Sequence, residues 1–127
     1  MPLEFPEEIC IDMLNQRDLV MVSCPLPNGT IQTHPYVVLS CKSANDHESS
    51  FTGVMMTSSK FIDDQFSWRV SNSMFDKQLV KSDCQIRLHL ISHFSYADTN
   101  GWAVNRMKRA DFDDLLNELF NVTFYLD

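Results

Sequence analysis

The sequence predicts a mainly β domain with a C-terminal helix: a small, strongly bent antiparallel sheet or partly open barrel with the helix laid against it. Three observations carry this. Short β-rich runs recur between turn signals from Leu19 to Ser92. An Asn28-Gly29 step separates two of these runs in the manner of a hairpin. From Phe112 onward the apolar spacing changes to that of a helix. Strands do not alternate with helices, which excludes a doubly wound parallel sheet.

Leu19-Val20-Met21-Val22 reads as a first, buried strand, followed by the loop Pro25-Leu26-Pro27-Asn28-Gly29-Thr30. A second strand is expected from Tyr36 to Cys41, paired antiparallel to the first. Proline has no N–H to donate, so Pro35 suits the start of that strand and sets His34 at its mouth. The segment 42–50 (KSANDHESS) is polar and reads as a loop. Phe51 to Ser58 is a third strand, and Phe66-Ser67-Trp68-Arg69-Val70 alternates with period two as a fourth. Ser71 to Gln78 reads as a turn or a single helical turn. Cys84 to Ser92 alternates most clearly, with Cys84, Ile86, Leu88 and Leu90 on one face and Gln85, Arg87 and His89 on the other. Trp102 to Asn105 is a candidate short strand. Phe112, Leu115, Leu116, Leu119 and Phe120 form one apolar helical stripe. Asp111, Asp113 and Asp114 crowd that helix's first turn, where the dipole favours negative charge. Residues 1–16 read as an N-terminal extension with helical potential from Pro6 to Asn15, so 1–127 is one domain.

Composition bounds the function. The chain has 127 residues, 44% hydrophobic and 21% charged, enough to bury a core. No apolar run is long enough to span a bilayer. The acidic, proline-broken start lacks the pattern of a signal peptide, so a cytoplasmic location is expected. Cys10, Cys24, Cys41 and Cys84 lie far apart with no Cys-x-x-Cys, which reads as free thiols in a reducing compartment rather than a zinc site. The net charge of −7 argues against a broad basic face for nucleic acid, though not against a small groove that gathers a few cations.

Several segments, in order, resemble the MazF/PemK/Kid family of toxin endoribonucleases from bacterial toxin–antitoxin systems. Arg17-Asp18-Leu19-Val20-Met21-Val22 is similar to that family's first strand, which starts Gly-Asp. Thr33-His34-Pro35-Tyr36-Val37-Val38-Leu39-Ser40 resembles its Arg-Pro, valine-rich, Leu-Ser strand. Asn45 falls where the next loop often has Asn. Met56-Thr57-Ser58 and Gln85-Ile86-Arg87 resemble its later strands, and the closing helix follows. The resemblance implies an SH3-like barrel, a homodimer that cuts single-stranded RNA with neither metal nor cofactor, and a cognate antitoxin that occupies the RNA groove. The chain departs from the pattern in three places. His34 stands for the family's Arg before Pro, and Arg17 for its Gly. The family's acidic residue before Gln falls on Cys84, or on Asp83 if the register slips by one.

Cleavage at a 2′-hydroxyl needs a base, an acid for the leaving 5′-oxygen, and donors or positive charge on the phosphate. His34 and His89 are candidates for proton transfer. Arg87, Thr57 and Ser58 are candidates for the phosphate, with Asp83, Gln85 and Lys60 as RNA-binding or orienting residues. Each has a plainer reading. The histidines and Lys60 are also what a solvated surface carries, Arg87 can pair with a carboxylate, and strand-end hydroxyls satisfy loop backbone. Tyr36, Phe66 and Trp68 are core or base-stacking residues; Arg106, Lys108 and Arg109 are a solvated patch or a partner contact. The rival to a ribonuclease is a catalytically inactive barrel of the same fold that binds only a protein.

Overall fold

A computed structural model describes residues 14–25, 28–58 and 62–127. Lys60, Cys10 and the helix proposed before Leu14 lie outside the described residues. The elements run in the order β1 (Asp18–Pro25), β2 (Ile31–Val38), a short helix (Lys42–Glu48), β3 (Ser50–Thr57), β4 (Ser67–Arg69) and a 3₁₀ turn (Asn72–Met74). They continue with β5 (Gln85–Ser95), a second 3₁₀ turn (Tyr96–Asp98), β6 (Asn105–Arg106) and the closing helix (Arg109–Glu118), which widens into a π turn (Leu119–Thr123). Among the described residues the six strands form one antiparallel sheet in the order β4-β5-β3-β2-β1-β6.

This corrects the expected SH3-like barrel: the sheet is open. Its outer strands, β4 of three residues and β6 of two, do not pair with one another. Beyond them a single bridge forms, between buried Phe75 and Met107, and strands this short supply no continuous ladder to close the sheet.

Both faces of the sheet are covered. Leu19, Val37, Val54, Met56, Ile86 and Leu88 pack on one face with Met107 and with Phe112, Leu115 and Leu119 of the closing helix region. Val20, Val22, Tyr36, Val38, Phe51 and Phe94 form the second cluster on the other face, with Leu14 and Tyr96. Tyr36 meets Phe94 edge-on at 4.8 Å between ring centres, a favoured aromatic arrangement. Burial on both sides explains why the strands read as nearly continuous apolar runs rather than strict alternations.

β2 starts earlier than expected, so Pro35 and His34 lie inside the strand, opposite Met21 and Val22. The carbonyls of Leu19 and Met21 accept from Val104 and Asn100, so these residues turn their polar backbone away from β2. Their partners Val37 and Pro35 therefore turn theirs towards β3. The N–H that Pro35 lacks would have pointed at β3, and β2–β3 pairing ends at Tyr36↔Met55, one residue before it. A proline is tolerated in the strand because no partner needs its donor.

Segment 42–50 is a helix over Lys42–Glu48 rather than a loop. It contains no Gly or Pro, Lys42 Nζ pairs with Asp46 at 2.5 Å, and buried Asn45 accepts from Ser40 Oγ at 2.5 Å. β5 departs from its alternation after Leu88. Ile91 stands opposite Val54 and Ile86 opposite Met56, so Arg87 to Leu90 bulge past Met55, and Leu90 comes out 38% exposed. Phe120 leaves the helical stripe and is exposed, because the chain widens into the π turn at Leu119.

Two ties close β1 against the end of the chain. Asp18, 2% exposed, accepts from Arg106 Nε at 2.9 Å and from Asn15 N at 2.8 Å. Arg17 lies in the left-handed region at φ 80° and donates from Nη1 to Met107 O at 2.9 Å. Arg106→Met, which leaves the buried Asp18 carboxylate with only its bond from Asn15 N, is expected to cost roughly 1–3 kcal/mol in urea unfolding. At position 17, Gly relieves the strain that Ala retains, and both lose the bond to Met107. Arg17→Gly should therefore be more stable than Arg17→Ala by about 1–2 kcal/mol, measured the same way.

Candidate functional site

Where β2 and β3 part, the two faces of the sheet differ. The parting opens a cavity of about 720 Å³, whose lining takes in Thr33, His34 and Thr57 as well as residues of the helix face. Met21, Pro35, Met56, Leu79, Val80 and Val104 make its apolar lining, with Ser58 and Cys84 beside them and Lys77 and Lys81 among its lining residues. The Cys84 thiol is buried and donates to Lys81 O at 3.2 Å, and burial pushes its pKa up.

The opposite face carries a polar row. Thr57 pairs with Gln85, and Gln85 with Arg69, across β3, β5 and β4. Continuing the β2–β3 register beyond Tyr36↔Met55 sets His34 opposite Thr57, across the gap between the parted strands. His34 shares the face of Gln32 and Tyr36, and its Nε2 donates to Gln32 Oε1 at 3.1 Å, leaving the lone pair on Nδ1. One step along the same face of β5 from Gln85 is Arg87, and then His89 at the bulge.

Of these residues, Gln85 is wholly buried and accepts from Ser67 Oγ and from Ile62 N, holding the chain before β4 onto β5. Arg87, its side chain only 11% exposed, donates from Nη1 and Nη2 to the two carboxylate oxygens of Asp64, at 3.0 Å each. The hydrogen bond from Arg87 is the largest of the influences that hold the Asp64 carboxyl below its ordinary pKa. His89 is exposed and its ring lies 4.9 Å from that of Phe66.

The structure therefore brings together His34, Thr57, Gln85, Arg87 and His89 on one face. Ser58 borders the cavity, whose lining His34 and Thr57 share. Asp83 is exposed, with a left-handed φ of 58°, and neither it nor Cys84 joins the row. The carboxylate that does stand there is Asp64. Nothing in the sequence singles Asp64 out, because its place depends on how the chain between β3 and β4 folds back over β5. Tyr36 is core, Trp68 is half-buried against the helix-face cluster, and Phe66 is half-buried against His89. Arg106 and Arg109 are taken up by Asp18 and Asp113. Among the described residues, no group of three or more His, Cys, Asp or Glu is arranged to hold a metal ion, and no helix is long and apolar enough to cross a membrane.

Solved structures match this architecture along almost the whole chain. MazF from Deinococcus radiodurans superposes with a TM-score of 0.69 at 10% identity, covering 89% of this chain and 98% of that one. The Mycobacterium tuberculosis toxin MazF-mt6 gives 0.63 at 14% identity, covering 87% and 99%. A mycobacterial endoribonuclease in complex with its cognate antitoxin gives 0.61 at 11%, covering 91% and 98%. At these identities the likeness is one of fold. No curated protein sequence matches the chain. The family described as PemK-like, MazF-like toxin of type II toxin–antitoxin system matches residues 15–122, nearly everything from the first strand to the closing helix, and the chain belongs to that family.

Proposed function

We propose that the chain is an endoribonuclease that cuts single-stranded RNA with its own side chains, and that the polar row is where it does so. One observation supports this above the others. His34, Thr57 and Arg87, which fall on the family's motif positions, share one face at the parted end of the sheet. In this reading His34 Nδ1 takes the proton of the ribose 2′-hydroxyl, and the 2′-oxygen attacks the adjacent phosphorus. The bond from phosphorus to the 5′-oxygen breaks, and His89 supplies the proton that this oxygen needs. Arg87 and the Thr57 hydroxyl hold the phosphate oxygens, where charge accumulates in the transition state. Gln85 positions β5 and the segment before β4 rather than touching RNA. The products are a 2′,3′-cyclic phosphate and a 5′-hydroxyl. The substrate and the reducing setting of the free thiols Cys24, Cys41 and Cys84 both suit the cytoplasm.

The apolar cavity, with Lys77 and Lys81 in its lining, suits the cognate antitoxin: an acidic segment that anchors through apolar side chains. Exposed Ile31, Trp102, Val104, Phe120 and Phe124 supply the apolar surface that a homodimer would cover. Sedimentation at micromolar concentration is expected to give twice the mass of one chain; a monomer would remove the dimer from the proposal.

The catalytic reading is tested with a long single-stranded RNA and the purified chain in excess EDTA. Discrete cuts are expected, each lost when the nucleotide before it is 2′-deoxy. His34→Ala and Arg87→Ala should each slow cleavage by roughly 10²–10⁴-fold. Cutting of the deoxy-substituted substrate, or full activity in both variants, would remove the row from the chemistry.

A further inference from the structure

Arg87 already has an anion. Its two terminal nitrogens meet both oxygens of Asp64 at 3.0 Å, the fork-to-fork arrangement in which a guanidinium also binds phosphate. Its side chain is only 11% exposed, so water cannot readily take the place of that anion. Asp64 is differently situated: 38% exposed, and placed in the chain that leads into β4. Its Oδ1 also accepts from Phe66 N at 2.9 Å, and its carbonyl accepts from Ser67 N at 3.2 Å. The carboxylate thus sits on a small turn, over a cation that would otherwise face whatever lies on the polar row.

We propose that Asp64 is an internal stand-in for the substrate phosphate, holding the Arg87 fork in the free chain and giving it up when RNA binds. This rests on the assignment of Arg87 to the phosphate. It follows from charge as well as geometry. The pair is neutral as a unit, so Arg87 attracts a phosphate strongly only through exchange of one anion for the other. Exchange selects for an RNA that makes further contacts along the row, and against isolated anions that match Asp64 but offer nothing more. Phe66 belongs to the same turn and its ring lies tilted against that of His89, so release of Asp64 would also free the imidazole that the proposed mechanism uses as acid.

The opposite role is a positioning one, in which Asp64 aims Arg87 and the phosphate uses the remaining N–H groups. The two differ in sign. The measurement is fluorescence anisotropy of a labelled 2′-O-methyl single-stranded RNA, which lacks the nucleophile and stays intact. It is made with the unaltered chain, Asp64→Asn, Asp64→Ser, Arg87→Ala and the Asp64→Asn/Arg87→Ala double variant. Asn and Ser both keep an oxygen able to accept from Phe66 N, so the turn survives while the charge is lost, and thermal unfolding of each variant checks that it folds. Binding is expected to tighten roughly three- to tenfold in Asp64→Asn and Asp64→Ser. It should weaken in Arg87→Ala, and the double variant should bind like Arg87→Ala alone. Unchanged binding in Arg87→Ala would overturn the assignment of Arg87 and this proposal with it. Weakened binding in Arg87→Ala beside unchanged or weaker binding in both Asp64 variants would overturn the stand-in alone. So would a gain from Asp64→Asn that persists without Arg87, since that is a general effect of removing negative charge.

Discussion

The sheet is organised by a backbone donor that is missing. Strand β2 lies against β1 from Ile31 to Val37 but against β3 only as far as Tyr36, and the next residue towards its N-terminal end is Pro35. The N–H absent there is the one that would have faced β3. Past that point the two strands diverge, and the gap has different consequences on its two sides. On the helix side it leaves an apolar hollow under Leu79 and Val80. On the other side it separates His34 from Thr57 by the width of a missing ladder, so that two polar side chains can face a common space. A residue that continued the ladder would bring β2 and β3 together and narrow both.

Much of this was legible in the sequence, and the failures are specific. The strands, the hairpin at Asn28-Gly29, the buried stripe through Phe112, Leu115 and Leu119, and the family all follow from local pattern and order. Closure of the barrel was not legible, because it depends on whether β4 and β6 meet. They do not, and the single bridge that forms beyond them, Phe75 to Met107, joins residues distant in sequence. The helix at Lys42–Glu48 was hidden by its polarity: it buries Asn45 and presents no apolar stripe, so periodicity had nothing to report. Leu90 and Phe120 look like core by spacing, and each is displaced by a local change of backbone, a bulge and a π turn. Of the residues on the polar row, His34, His89, Thr57 and Arg87 were candidates from the sequence, whereas the carboxylate in contact with Arg87 was not. Asp63 and Asp64 are adjacent acids in a polar stretch, and only the folded turn distinguishes them.

In an acidic chain with few cations, three of the arginines lie against carboxylates. Arg106 neutralises Asp18, Arg109 lies against Asp113, and Arg87 lies under Asp64. Arg17 is anchored on the carbonyl of Met107 and stands where the family has glycine, in a left-handed conformation that glycine adopts without strain. That exchange gives up backbone ease for a side-chain tie between the first strand and the start of the closing helix. The departures of this chain from its family therefore fall into two kinds. Arg17 is a matter of architecture, whereas His34 bears on the chemistry proposed for the row.

The short outer strands have a consequence for how this molecule meets others. A sheet edge is a row of unused hydrogen-bonding groups, and a long one invites any extended chain to add itself. Here one edge runs for three residues and the other for two. Neither is long enough to template a further strand by itself. The longer stretches of open ladder lie inward of them. Among the described residues, β5 has no strand on its β4 side beyond Arg87, and β2 has none on its β3 side below Tyr36, so an extended visitor would find its backbone partners there.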